Sequence, residues 1–192
     1  MLLEGENMHP VKYIWALRAL FYKPFFKHIG SMTYIGKPCF IEGCKGISIG
    51  KRTRIFPGVR MEAIGIGEIT IGNNCAIEQN VHITSMGSNL VIGDNVTIAA
   101  NTFITNLDHE YRDISKSVMD QGHILSETVI GEGSFLGYGV AIQAGTKLGK
   151  HCVVGTGSVV KGDYPDYSVI VGIPGKVLKQ YNTRTKEWER TR

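Results

Sequence analysis

Of the six histidines in this chain, His109 has the most suggestive surroundings, "FITNLDHEYRD" at residues 103–113. An imidazole titrates near neutrality, so a ring within hydrogen-bond reach of a nucleophile can take its proton as it attacks. The same ring could instead ligate a metal or sit as an ordinary solvated corner residue. Asp108 and Glu110 flank it, and either can orient the ring or hold its charge once protonated; neighbours on a strand point to opposite faces, so one of the two at most does so. The four cysteines, Cys39, Cys44, Cys75 and Cys152, form no CxxC pair and read as reduced packing residues.

What must position His109 is a repeat that stops beside it. Aliphatic residues recur every six positions at Ile35, Ile41; Ile49, Ile55, Met61; Ile71, Ile77, Ile83; Ile92, Ile98, Ile104; Ile130, Leu136, Ile142; and Leu148, Val154, Val160. The following residue is glycine at eight of these seventeen places, where two or so are expected from 24 glycines in 192 residues. Six fits neither a helix nor a constant strand, so the chain must turn at each unit. Glycine at a fixed offset supplies either the positive φ or the close backbone approach that such corners need, and the Asn and Asp of "IGNN" and "IGDN" tolerate similar angles. The slips at Met61, Ile83 and Ile104 all follow a third unit, which makes three faces per coil and predicts an all-β solenoid, a parallel β-helix of about six triangular coils.

The longest slip follows Ile104: residues 110–129 form an excursion that can fold over a site or over a neighbouring chain. Residues 1–34 read as an N-terminal helical segment, with a helix over 9–28 broken by Pro24; 35–171 as the solenoid; and 172–192 as an extension with an exposed polar helix over 175–190. The N-terminal apolar residues Ile14, Trp15, Leu17, Leu20, Phe21, Phe25 and Phe26 alternate with Lys12, Arg18, Lys23 and Lys27. They suit capping of the first coil or a peripheral membrane contact, but are too short and charged to span a bilayer.

Composition narrows the partners. Lys and Arg exceed Asp and Glu by 21 to 17, with the excess at the two ends and no dense basic stripe, which argues against a duplex nucleic-acid binder and allows an anionic small molecule. The start "MLLEGENMHP" lacks the basic and apolar regions of a signal peptide, so a cytoplasmic location is expected.

These motifs resemble the hexapeptide-repeat acyltransferases over roughly residues 35–182, most specifically in "VIGEGSFLGYGVAIQAGTKLGKHCVVGTGSVVKGDYPDYSVIVGIPGKVLKQYN". The resemblance implies a left-handed β-helix, a handedness the rhythm itself does not dictate, and a homotrimer with active sites between adjacent prisms. It is nearest to sugar O-acetyltransferases that use acetyl-CoA, and among them to the group that modifies O-antigen and other surface polysaccharides.

The resemblance implies site residues one by one. His109 matches the general base that takes the proton of a sugar hydroxyl, and no metal is required because the thioester is already activated. In "IEQNVHITS", Glu78 stands where galactoside acetyltransferases have an oxyanion-steadying Asn; a carboxylate cannot donate unless protonated, which moves that role to Asn80 or a backbone N–H. His82, in the "NVHI" pattern, and Asp108 are candidate acceptor contacts. By the triangular count His82 and His109 lie at different corners, up to about 20 Å apart in one chain, so they would meet only across a subunit boundary. Where the polysaccharide group tends to read "DHNH", this chain reads "NLDH", with Asn106 and Leu107 replacing a charged pair. For coenzyme A the implied contacts are the backbone of Tyr138 and Thr156 and the side chain of Lys161, with Lys176 and Lys179 toward its phosphates.

Other functions compete. A γ-class carbonic anhydrase shares the solenoid, but its histidine pair five residues apart is missing at "IAANTF". Serine acetyltransferases carry a larger helical domain than 34 residues allow, and solenoid nucleotidyltransferases need a sugar-nucleotide domain that is absent. A non-catalytic scaffold would have no use for His109. A nucleotide-linked or free small sugar is the alternative acceptor.

Overall fold

The structure is a computed structural model and describes residues 9–191. The aliphatic rhythm turns inward as its period requires: sixteen of the seventeen residues are buried, and Ile41, in the first coil, is half-buried. Burying each such side chain contributes about 1.5–3 kcal/mol relative to exposure, so stability is spread evenly along the stack.

These residues lie on short strands that stack in parallel as three faces. The first face runs from His28–Ile29 through Ile47–Ile49, Glu68–Ile71, Asn89–Ile92, Val129–Ile130 and Lys147–Leu148 to Asp163–Tyr164. The second comprises Tyr34–Ile35, Arg54–Ile55, Ala76–Ile77, Thr97–Ile98, Phe135–Leu136, Val153–Val154 and Ser168–Val171. The third comprises Phe40–Glu42, Arg60–Ile64, His82–Met86, Phe103–Thr105, Ala141–Ile142 and Val159–Val160. Register is strict, with Ile35 opposite Ile55, Ile55 opposite Ile77 and Ile83 opposite Ile104. Seven strands on each of the first two faces and six on the third make a little over six coils.

The glycine after the aliphatic position serves close approach, not a left-handed turn: a Cβ on Gly50 would meet the Gly72 carbonyl oxygen at 2.5 Å. Positive φ falls later in the corner. Between the second and third faces, Asn80 (φ 58), Asn101 (φ 59), Gly139 (φ 66) and Gly157 (φ 69) stack in one column. Each sends its N–H to the preceding coil, as Asn101 does to Gln79 at 3.0 Å and Gly157 to Tyr138 at 2.9 Å. Asparagine and glycine hold this column because they occupy the left-handed region at least cost.

Both ends depart from expectation. The N-terminal helix α1 spans Val11–Tyr22, and the first coil already begins at His28, not at Ile35. Ile29 lies one six-residue step before Ile35 and is followed by Gly30, so the repeat reaches one unit further back. The helix expected over 175–190 is not formed. Lys176–Asn182 and Glu187–Arg190 are an antiparallel hairpin that pairs with Ser168–Val171 and extends the second face. The reason is local: the Asn182 side-chain oxygen accepts from the N–H groups of Arg184 (2.9 Å) and Thr185 (3.2 Å), Lys186 takes φ 59, and Tyr181 packs edge-on against Trp188. An asparagine that turns the chain and a cross-strand aromatic pair outweigh helix propensity in a polar segment next to an open sheet edge. Of the cysteines, Cys75 and Cys152 are buried as packing residues, whereas Cys39 is exposed and Cys44 intermediate; all four are free.

Candidate active site

The excursion leaves the solenoid at the vertex between the third and first faces, and it is ordered at its base. Leu107–His109 pairs antiparallel with His123–Leu125, which sets His109 opposite His123. Ser126 N–H donates to the Asn106 carbonyl at 2.9 Å and Glu110 N–H to the Gly122 carbonyl at 2.9 Å. Those rungs make His109 and His123 a non-hydrogen-bonded pair, the kind whose side chains stand closest across a ladder. Their ring centroids are 4.9 Å apart, and both side chains are exposed.

Asn106, which is fully buried, fixes the point of departure. Its Oδ1 accepts from Met86 N–H at 2.8 Å, and its Nδ2 donates to Ser85 Oγ (3.0 Å), Ser88 Oγ (3.1 Å) and the Met86 carbonyl (3.2 Å). On the return strand the buried Thr128 hydroxyl donates to the Thr105 carbonyl at 2.8 Å. From outside, Lys161 Nζ reaches Asp108 Oδ2 at 3.1 Å and ties the hairpin to a later coil. Glu110 turns away to Arg112, whose hydrogen bonds hold its carboxyl at about 2. Neither flanking carboxylate is bonded to the His109 ring.

His82 stands elsewhere. It opens its strand in register with Phe103, six residues before His109, which at about 3.3 Å per residue separates the two histidines by up to about 20 Å. Its Nε2 is 2.9 Å from Glu62 Oε2 and 2.9 Å from Thr84 Oγ1, and its ring packs edge-on against Phe103 at 5.2 Å. Glu62 is 8% exposed and receives two bonds from Arg60, both 2.7 Å. Hydrogen bonds from Arg60, opposed by burial and helped by the bond to His82, hold the Glu62 carboxyl at about 2.

All but one of the remaining expected contacts gather at the vertex between the second and third faces; Lys179 does not. Tyr138 and Thr156 occupy successive corners there, and Tyr138 is joined through Asn101 to Asn80, whose Nδ2 donates to Asn101 Oδ1 at 3.2 Å. Glu78 accepts the Ala100 N–H at 3.2 Å, so its carboxylate serves the corner backbone. Lys176 pairs in register with Val171, which lies against Gly155 beside Thr156; Lys179 pairs with Val169 at the other end of that strand. A Cβ at Gly139 or Gly157 would have nothing within 4 Å, so a ligand could lie along this edge.

The expected residues thus divide. His109, Asp108 and Lys161 share one vertex, while Asn80, Tyr138, Thr156 and Lys176 share the other, with the third face between them. His123, Asn106 and Glu62 complete the picture, although the sequence does not single them out for a role. The signal for His123 lies in a pairing across the tip at residues 110–122, which periodicity does not carry. Among the described residues, no group of three His, Cys, Asp or Glu side chains converges as a metal site within the chain.

Comparison with known proteins gives the family. Residues 127–162 match the model for "bacterial transferase hexapeptide (six repeats)" and residues 90–106 that for "hexapeptide repeat of succinyl-transferase". Over 160 residues the chain is 36% identical to the putative lipopolysaccharide biosynthesis O-acetyl transferase WbbJ of Escherichia coli K12, covering 80% of this chain and 81% of that one. Among solved structures, a point mutant of the N-acyltransferase AntD of Bacillus cereus, in complex with dTDP-4-amino-4,6-dideoxyglucose and coenzyme A, superposes with a TM-score of 0.76 at 19% identity, covering 88% of this chain and 90% of that one. A galactoside acetyltransferase in complex with coenzyme A gives 0.58 at 24% identity, covering 94% and 77%. The fold is the left-handed β-helix of acyltransferases. The chain belongs to the hexapeptide-repeat acyltransferases, and within them it stands close to the O-antigen acetyltransferases.

Proposed function

We propose that this acyltransferase moves an acetyl group from acetyl-CoA to a hydroxyl of a sugar in surface-polysaccharide or O-antigen assembly, by direct attack with His109 as general base. The observation that carries this reading is the 36% identity to WbbJ across four-fifths of the chain. The coenzyme A in the solved neighbours supports the donor. In the reaction His109 takes the hydroxyl proton, the sugar oxygen bonds to the thioester carbonyl carbon, and the carbon–sulfur bond breaks as the intermediate collapses. The imidazolium returns its proton to the departing thiolate, leaving the O-acetyl sugar and free coenzyme A. Asn80 or a corner N–H steadies the oxyanion.

The division between vertices supports a homotrimer in which the His109 vertex of one copy meets the Asn80 vertex of the next. His109, Asp108 and Lys161 then face Tyr138, Thr156, Lys176 and Lys179, with the lysines toward the donor's phosphates. His82 and Asp108 contact the acceptor. A cytoplasmic location belongs to this reading, with peripheral contact at the inner face of a membrane; no described helix is long and apolar enough to cross one.

Thiol release from acetyl-CoA, measured with a panel of surface-glycan fragments, nucleotide-linked sugars and free oligosaccharides, tests it. Turnover is expected with at least one glycan fragment, falling about 10²–10⁴-fold in His109→Ala. Undiminished turnover in that variant overturns the mechanism, and preference for a nucleotide-linked sugar overturns the acceptor. Sedimentation of the full chain at the mass of three copies is the expected assembly.

A further inference from the structure

Helix α1 carries two apolar stripes where capping needs one. The inner stripe, Trp15, Ala19 and Tyr22, continues to Phe26 and closes the first coil. Trp15 packs against Tyr34 (5.8 Å) and Phe56 (5.7 Å), Ala19 and Phe26 are buried, and Tyr22 stacks on Phe26 at 5.9 Å. Arg18 seals this side by donating to the Ile35 carbonyl at 2.9 Å. Capping therefore accounts for one side of the helix only.

The outer stripe is Tyr13, Ile14, Leu17, Leu20 and Phe21, extended by Phe25, and these six are between 53% and 69% exposed. Positions 13, 14, 17, 20 and 21 share one helical face, so the apolar surface is continuous. It runs on into a cleft lined by Phe21, Phe25, Pro38, Cys39 and Phe40. So much adjoining apolar surface marks an interaction site.

Charge identifies the partner. Residues 9–41 contain no Asp or Glu, and they carry Lys12, Arg18, Lys23, Lys27 and Lys37. Lys23 and Lys37 are exposed beside the apolar surface, and among the described residues neither is in an ion pair. A second copy docked by the same face would bring these like charges together. An anionic lipid surface takes both features, with apolar side chains entering the headgroup boundary and lysines meeting the phosphates. Twelve residues span about 18 Å, which suits a helix lying in the interface plane.

We propose that the outer face of α1 docks the enzyme on an anionic bilayer surface. Binding is independent of acyl transfer, so its failure and that of the catalytic reading are distinguishable. The test is co-sedimentation of the full chain with vesicles of phosphatidylcholine alone and of phosphatidylcholine mixed with phosphatidylglycerol. Wild type is expected to bind the anionic vesicles at least tenfold more tightly than the neutral ones. Leu17→Glu/Phe21→Glu should lose that binding at least tenfold while keeping its melting temperature and oligomeric mass, since the inner stripe is untouched. No binding to anionic vesicles, equal binding to neutral ones, or unchanged binding by the double variant overturns the proposal. So does a double variant of reduced oligomeric mass, which would assign the stripe to contacts between copies.

Discussion

The two vertices that bound the third face are built in opposite ways. At the vertex with the second face, every coil repeats one solution: a residue of positive φ, asparagine or glycine, sends its N–H to the coil before. At the vertex with the first face, one coil abandons the repeat and sends out a hairpin, whose base must be held by side chains because no coil lies behind it. The buried amide of Asn106 and the hydroxyl of Thr128 do that holding. The regular vertex therefore offers backbone groups and an open edge, whereas the irregular one offers freely presented imidazoles. The proposed mechanism uses both, one to bind the donor and one to move a proton.

The largest effect should come from breaking the irregular vertex at its root. Asn106→Ala removes the acceptor for the Met86 N–H and the donor to Ser85 and Ser88, leaving buried polar groups unpaired at about 1–3 kcal/mol. It also frees the hairpin that carries His109, and a displacement of about 1 Å is enough for about a 10²-fold loss of turnover. We expect a lower melting temperature together with that loss; wild-type turnover at reduced stability would show that the hairpin finds its position without the clamp.

A smaller effect, on stability more than turnover, should follow at His82. This imidazole is held by a buried carboxylate, while His109 is held by none. The Glu62 carboxyl titrates near 2, below its ordinary 4.5, so the folded chain binds that proton more weakly than the unfolded chain. Its contribution is complete above about pH 4.5 and is lost as pH falls through about 2. Glu62→Gln should cost about 1–3 kcal/mol at neutral pH and flatten the acid limb of a melting-temperature profile between those values. An unchanged acid limb would mean that the Arg60–Glu62–His82 network does not form in solution.

The same contrast explains what can be read from the residues. The three faces, the inward aliphatics and the number of coils follow from the period and the phase of its slips, because each coil solves the same packing problem. His109 is legible since the repeat stops there. Its partner His123 is not, because antiparallel pairing across a long tip depends on Asn106 and Thr128 fixing both ends of the excursion. The C-terminal hairpin reads as a helix in the sequence for a related reason: what decides it is the open edge of Ser168–Val171, a tertiary feature, together with the turn at Asn182. Glu62 sits on a strand of a regular coil, where a carboxylate reads as solvated until Arg60 and His82 are seen around it.

The smallest effect concerns Lys161, which stands between two tasks. Its 3.1 Å contact with Asp108 is an exposed pair, worth no more than about 1 kcal/mol, or a few-fold in rate if the hairpin's position depends on it. In the trimeric reading the same ammonium also faces the donor held at the neighbouring copy's regular vertex. Removing Asp108 tests the first task, with its proposed acceptor contact read separately as the KM for the sugar, whereas removing Lys161 tests both tasks. Asp108→Asn and Lys161→Ala should therefore share a roughly two- to fivefold fall in kcat, while only Lys161→Ala raises the KM for acetyl-CoA, by an amount that shrinks at high salt. Identical kinetics in the two variants would make Lys161 a strut for the hairpin and leave the donor to Lys176 and Lys179. The irregular vertex would then bind no part of the donor, and the two vertices would differ in function as completely as they differ in construction.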